Sequence, residues 1–424
     1  MSARYEQILQ AAIGSGYLDE ERPLAAFVDT TSLADTIAAL HRAFPAHFTH
    51  TFAAKANTMS RALAFVKRHG MGCEVASPGE LEQALRAGFE PGQIVYDEPA
   101  KTVSMLGKVL ELGMGLNIDN FQEFRRVQSL LSQRRSRSRI GFRINPQVGA
   151  GKISAMSTAT TTSKFGVALE DEGNRGELLR AYLEHPWLTA LHSHVGSQGC
   201  SLDLMTAGIR KVVDLAVEIN SAAGSRQVEV IDIGGGLPVN FESEEVRPTF
   251  AEFAAILRDT VPELFSGEFL AKTEFGRSVF AKNGFIVSRV EYTKWSGGRR
   301  IAITHAGAQI ATRTVFMPDH WKLRLSVFDS AGRAKSGREA QQDVAGPLCF
   351  AGDLVASARR LPEIEPGDYI VLHDTGAYYF SNPFYYNALC APAVYAAENA
   401  GADQWDFTVW RQQQSLDDML SVIG

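Results

Sequence analysis

Cysteine is scarce: Cys73, Cys200, Cys349 and Cys390 are the only four in 424 residues, and they stand far apart with no paired spacing. That argues against a disulfide framework and against a zinc site, and it points to thiols kept reduced. An excess of basic charge is also missing. The net charge is −6, with 42 Lys and Arg against 48 Asp and Glu, and only "SQRRSRSR" (132–139) concentrates cations. A nucleic-acid partner therefore has little support, and that run reads as the solvated end of a helix. No apolar stretch is long enough to span a bilayer, and the charged, amphipathic "MSARYEQILQ" lacks the apolar centre of a signal peptide. The expectation is a cytoplasmic protein with no membrane partner. Internal repeats and low-complexity tracts are absent as well. What is present is an ordinary globular composition, 45% hydrophobic and 21% charged, over a length that suits two domains.

From about residue 26 to 280, short apolar runs alternate with amphipathic helical segments: "AAFVD", "FTHTFAAK", "GCEVA", "QIVYD", "GMGLNID", "IGFRINP", "LTALHSHVGS", "VEVIDIGGG" and "FLAKTEFG". This βα rhythm implies a parallel sheet covered by helices, and the number of units favours a closed (β/α)8 barrel over an open sheet. After residue 280 the pattern turns β-rich, with "GFIVSRVEYTKWSGGRRIAITHAG", "KLRLSVFD" and "DYIVLHDTG" separated by turns. The predicted fold class is thus α/β plus all-β. Residues 26–280 form the barrel, and residues 281–424, completed by residues 1–25, form a mainly β domain. "DSAGRAKSGREAQQ" (329–342) reads as an exposed hairpin or loop.

In a barrel, chemistry belongs at the C-terminal ends of the strands. Lys55 follows "FTHTFAA", His194 follows "LTALHS", Gly234 to Gly236 follow "VEVIDI", and Glu274 follows "FLAKT". Each has a plain alternative. Lys55 is a strand-end lysine reaching water, a phosphate clamp, or an amine forming a Schiff base. "HSHVGSQ" aims His192 and His194 the same way, as a structural pair or a two-histidine metal site, but no third ligand of matching context is evident. "IDIGGGLP" lacks G-x-G-x-x-G spacing, so it reads as a tight turn, or as glycine amides that hold a phosphate. "TEFGRS" pairs Glu274 with Arg277 as a local salt bridge or as site residues. One cofactor accommodates all of these: an aldehyde for Lys55, a phosphate for Ser197, Gly235 and Gly236, a ring for His194 to cover, and a ring nitrogen for Glu274. That cofactor is pyridoxal 5'-phosphate.

"FAAKAN", "HSHVGSQ", "DIGGG", "EFGR", "GPLCFAGD" and "HDTGAYYFSNPFYYN" stand in the order found in the alanine-racemase-like fold family of pyridoxal-phosphate enzymes. Within it, the chain resembles the diaminopimelate and ornithine decarboxylases over nearly its whole length. The resemblance implies Lys55 as the Schiff-base lysine, in a poorly solvated place that lowers its pKa, with Glu74 an acid near cofactor and lysine. It implies His194 on the ring face, with His192 a neighbour. Ser197, Gly236, Arg277 and Tyr378 match phosphate-side positions, and Arg277 also reaches substrate. Glu274 matches the acid paired with the pyridine nitrogen, where racemases of this fold carry an arginine, so decarboxylation is favoured over racemisation. Cys349 matches the cysteine assigned to protonating the product carbon, a buried structural cysteine being the alternative. In such enzymes this cysteine and the following acid, Asp353, come from the partner subunit, so a homodimer with shared sites is implied.

The substrate pocket departs from both relatives. Diaminopimelate decarboxylases carry Cys-Glu-Ser where this chain has Cys349 and Phe350, and a phenyl ring cannot pair the distal ammonium that the glutamate holds. Arg313 matches the arginine for a distal carboxylate, yet the tyrosine expected four residues later is Met317, and "DGG" is His305 to Gly307. The expectation is a specialised decarboxylase of the siderophore or antibiotic type, removing the α-carboxylate of an amino acid or a conjugate that bears an anionic distal group. The other readings are diaminopimelate decarboxylase proper, a racemase or epimerase, and a non-catalytic pyridoxal-phosphate carrier.

Overall fold

The computed structural model describes residues 3–401 and 404–424. Met1 and Ser2 of the expected 1–25 segment, and Ala402 and Asp403 of the later one, lie outside the described residues. The chain divides into two compact units, one comprising Thr36–Val239 and Val246–Ser278, the other Met1–Asp35, Asn240–Glu245 and Val279–Gly424.

The first unit is a closed parallel barrel. Its strands are β1 (Phe48–Ala53), β2 (Gly72–Val75), β3 (Ile94–Tyr96), β4 (Gly115–Ile118), β5 (Ile140–Asn145), β6 (Leu188–His192), β7 (Val230–Asp232) and β8 (Leu270–Phe275). They run in the order β4-β3-β2-β1-β8-β7-β6-β5, and pairing of Leu116 with Ile140 closes the ring between β4 and β5. Strands covered on both faces need apolar residues throughout rather than in alternation. β5, "IGFRIN", is accordingly buried at every position, although it carries Arg143. Caps written in the sequence start the intervening helices. Ser77 accepts the Glu80 N–H ahead of Pro78–Arg86, and Thr249 with Glu252 forms a capping box ahead of Phe250–Thr260.

The second unit is mainly β. Its sheet runs Leu354–Pro362, Glu339–Ala345, Arg299–Thr304, Gly284–Ser296, Leu24–Asp29, Ala393–Gly401 and Gln404–Arg411, with Tyr369–Leu372 added at Gly284–Ser296 and Leu325–Phe328 added in turn at Tyr369–Leu372. The helix Ala3–Gly14 lays Tyr5, Ile8, Leu9 and Ala12, one stripe at helical spacing, onto a core that includes Phe27, Phe285, Val371 and Tyr395.

Two local expectations change. Leu24–Asp29, placed by the βα rhythm at the head of the barrel, pairs instead with Gly284–Ser296 (antiparallel) and Ala393–Gly401 (parallel). Its apolar run specifies burial but not which sheet receives it. The polar stretch 329–342 ends inside strand Glu339–Ala345, where Gln342 is fully buried because Leu361, Pro362 and Ile364 satisfy its amide.

Candidate active site

Lys55 leaves β1 in a single 3₁₀ turn, Ala54–Ala56. Its Nζ donates to Glu74 Oε2, at the end of neighbouring β2, over 2.5 Å. The lysine is not buried as expected: its side chain is 41% exposed against 1% for Glu74. The turn lifts the lysine clear of the strand, and the desolvation falls on the acid instead. Burial raises the Glu74 carboxyl above its ordinary value, with Lys55 opposing.

The three glycines after β7 are required by close approach. A β-carbon on Gly235 would stand 2.1 Å from the Glu274 carbonyl oxygen, and one on Gly236, whose φ is +97°, would stand 1.8 Å from the Gly196 carbonyl oxygen. The loop thus packs against the ends of β6 and β8. There the Gly235 N–H donates to His194 Nδ1 over 3.1 Å, fixing that nitrogen as an acceptor. Burial first, then Arg143 and Lys55, hold His194 well below the ordinary histidine range, so the ring is neutral. Ser197 lies three residues further along, its N–H bonded to the Met156 carbonyl.

Glu274 ends its burial on β8 beside a histidine. Its Oε2 is 3.3 Å from His192 Nε2, while Oε1 is buried with no hydrogen-bond partner. Burial, reinforced by Glu74 and Asp97, pushes the Glu274 carboxyl up to about 8. Arg277 is buried three residues on. Asp97 and Arg143, which sequence reasoning missed, complete this buried set: Arg143 Nη1 donates to Asp97 Oδ2 over 2.6 Å. The available signal was a charge in an apolar strand, Arg143 in "IGFRIN", and an acid at a strand end, Asp97 in "QIVYD". Asp97, His192 and Glu274 bring one ligand atom each within 4.8 Å of one another. Arg143 already supplies the cation there.

The other expected residues lie in the β unit. Cys349 is exposed, not a buried structural thiol, and its N–H donates to Asn387 Oδ1 over 2.8 Å. Phe350 stacks on Phe316 at 5.5 Å and meets Tyr386 edge-on at 5.6 Å. Asp353 turns inward: Oδ1 accepts the Ala308 N–H and Oδ2 the Leu348 N–H, so the carboxylate anchors the loop that carries Cys349 and Phe350. Arg313 lies 4.4 Å from the Tyr378 ring, and its Nη1 is buried without an acceptor. Tyr378 holds φ at +67°, a left-handed backbone that a β-carbon disfavours.

A family model described as pyridoxal-dependent decarboxylase, pyridoxal binding domain, matches residues 30–281. The chain belongs to the pyridoxal-dependent decarboxylases. It is 29% identical over 401 residues to a diaminopimelate decarboxylase of Methanothermobacter thermautotrophicus, covering 93% of this chain and 90% of that one. It is 30% identical over 344 residues to the Helicobacter pylori enzyme of the same name, covering 80% of each. A crystal structure of Helicobacter pylori diaminopimelate decarboxylase complexed with L-lysine superposes with a TM-score of 0.81 at 25% identity, covering 94% of this chain and 96% of that one. This decarboxylase is therefore a pyridoxal-phosphate-dependent carboxy-lyase acting on an amino acid, not a racemase or a carrier. Its barrel fits the cofactor chemically, offering a primary amine, a neutral imidazole, a glycine loop with no side chains to block an anion, and a buried carboxyl with an oxygen to spare. Among the described residues, no helix is long and apolar enough to cross a membrane.

Proposed function

We propose that this decarboxylase removes the α-carboxylate of diaminopimelate or a close analogue. The observation that carries this reading is likeness to diaminopimelate decarboxylases over 93% of the chain. That likeness favours diaminopimelate over the specialised substrate expected from Phe350. Pyridoxal phosphate, when bound, supplies a carbonyl for the substrate amine and a ring that takes up the electron pair left by departing CO₂. Lys55 provides the amine that holds the cofactor, with Glu74 orienting it. Neutral His194 would cover the cofactor's ring, and Glu274, once ionised, would pair with its ring nitrogen. Ser197, Gly236 and Arg277 hold the phosphate, as the resemblance adds for Tyr378, while Gly235, whose N–H is given to His194, shapes the loop around them. Arg313 takes a distal carboxylate, as its buried, unsatisfied Nη1 invites. Cys349 returns a proton to the product carbon. We further propose a homodimer in which each chain lends its Cys349 to the other's site, testable by restored activity when inactive Lys55→Ala and Cys349→Ala chains are mixed.

A second reading keeps a specialised substrate. Phe350 stands among Phe316 and Tyr386, and an apolar ring at the place where the resemblance implies an acid disfavours a distal ammonium. CO₂ release from diaminopimelate, lysine, ornithine, arginine and acidic conjugates separates the two. Brisk turnover of diaminopimelate supports the first, and turnover confined to conjugates supports the second.

A further inference from the structure

His192, expected only as a neighbour of the ring-facing histidine, is the middle link of a buried chain of charge across the barrel. Asp97 Oδ1 stands 3.6 Å from His192 Nδ1, and Glu274 Oε2 stands 3.3 Å from His192 Nε2. His192 is wholly buried and Asp97 and Glu274 nearly so. Arg143, paired with Asp97, also acts on the imidazole, as do Asp232 on β7 and Glu74 on β2.

This geometry assigns protons. Burial alone would raise the Asp97 carboxyl, but Arg143 and then His192 outweigh it, so Asp97 is an anion. An anion facing Nδ1 requires a hydrogen there. Nε2 and Glu274 Oε2 lie 3.3 Å apart, near enough to exchange one proton once aligned, although neither ring nitrogen of His192 makes a hydrogen bond here. In the cofactor-free chain the proton sits on Glu274, whose carboxyl is pushed up to about 8 while burial pulls His192 down. A carboxylic acid is a poor partner for a protonated ring nitrogen, so loading the site requires that proton to move.

We propose that His192 is a positioning residue that accepts the Glu274 proton on Nε2, leaving Glu274 ionised and its Oε1 turned to the cofactor's ring nitrogen. The step breaks the Oε2–H bond and forms the Nε2–H bond, and no other group changes. Once formed, the imidazolium lowers the proton affinity of the adjacent carboxylate more than that of the more distant ring nitrogen, because the interaction falls with distance. The ring proton therefore stays on the ring.

The inference rests on the assignment of Glu274 to the ring nitrogen, and its test separates the two. Wild-type, His192→Gln and Glu274→Gln proteins are loaded with cofactor labelled with ¹⁵N in the ring, and the ¹⁵N shift is followed from pH 6 to 9. Wild type is expected to show a protonated ring throughout. Both variants are expected to shift toward the unprotonated ring, with the ring's protonation constant reduced about tenfold or more in His192→Gln. A wild-type shift in His192→Gln with a changed shift in Glu274→Gln overturns the role of His192 alone. Wild-type shifts in both overturn the Glu274 assignment and the inference with it. Should His192→Gln not fold, Asp97→Asn, which removes the anion that fixes the tautomer, is expected to shift the ring the same way, and an unchanged shift overturns the proposal.

Discussion

The Gly235 N–H donates to His194 Nδ1 over 3.1 Å, so one backbone amide of the triple-glycine loop fixes which imidazole nitrogen is the acceptor. A histidine bonded in this way, buried and surrounded by cations, stays neutral through the physiological range. Its folded pKa is depressed, so its contribution to stability is present above 6.5 and is lost as pH falls below that value. The cofactor-free His194→Gln protein is expected to lose less thermal stability than wild type between pH 6.5 and pH 5, the value of 6.5 being the histidine's ordinary pKa. Scanning calorimetry of the two across that range checks it.

Glu274 carries the opposite slope. Its folded pKa of about 8 lies above the ordinary 4.5, so the stabilising protonated form is complete below 4.5 and is lost as pH rises toward 8. Cofactor-free wild type is expected to weaken across that interval more steeply than Glu274→Gln. Denaturant midpoints at several pH values measure the difference, and equal slopes would contradict a protonated Glu274.

Lys55→Ala is expected to abolish the visible absorption of bound pyridoxal phosphate and to lower kcat by about 10³-fold or more. In wild type, borohydride treatment should fix the cofactor to the peptide containing Lys55, read by mass spectrometry. Attachment at another lysine would refute the assignment.

Gly236→Ala meets both a φ of +97° and a carbonyl oxygen 1.8 Å from the new carbon. The expected loss is about 2 kcal/mol or more of folding stability, together with weaker cofactor binding. Gly224→Ala, with φ at +61° but nothing within 4 Å, separates backbone strain from the clash. The Gly224 variant is expected to lose less stability and to bind cofactor normally.

Phe350→Glu places an acid beside Cys349. If the distal group of the best substrate lacks a positive charge, the substitution is expected to reduce kcat/KM for it while raising that for diaminopimelate by about 10- to 100-fold, the worth of one charged hydrogen bond. Competing-substrate assays with purified enzyme read the ratio directly.

The sequence by itself determined the barrel and the β unit, because burial on both strand faces demands near-continuous apolar runs, and helices between them demand caps and stripes. It also determined the positions of Lys55, His194, the glycine loop and Glu274, because polar residues that end apolar strands stand out by contrast. Tertiary structure decided the rest. Which sheet takes Leu24–Asp29 depends on pairing with residues more than 250 positions away, which an apolar run does not encode. That Lys55 is half-exposed while Glu74 bears the burial follows from one turn at the end of β1. The link from Arg143 through Asp97 and His192 to Glu274 exists only because four strands far apart in sequence aim their side chains into one closed interior, where desolvated charges must find one another.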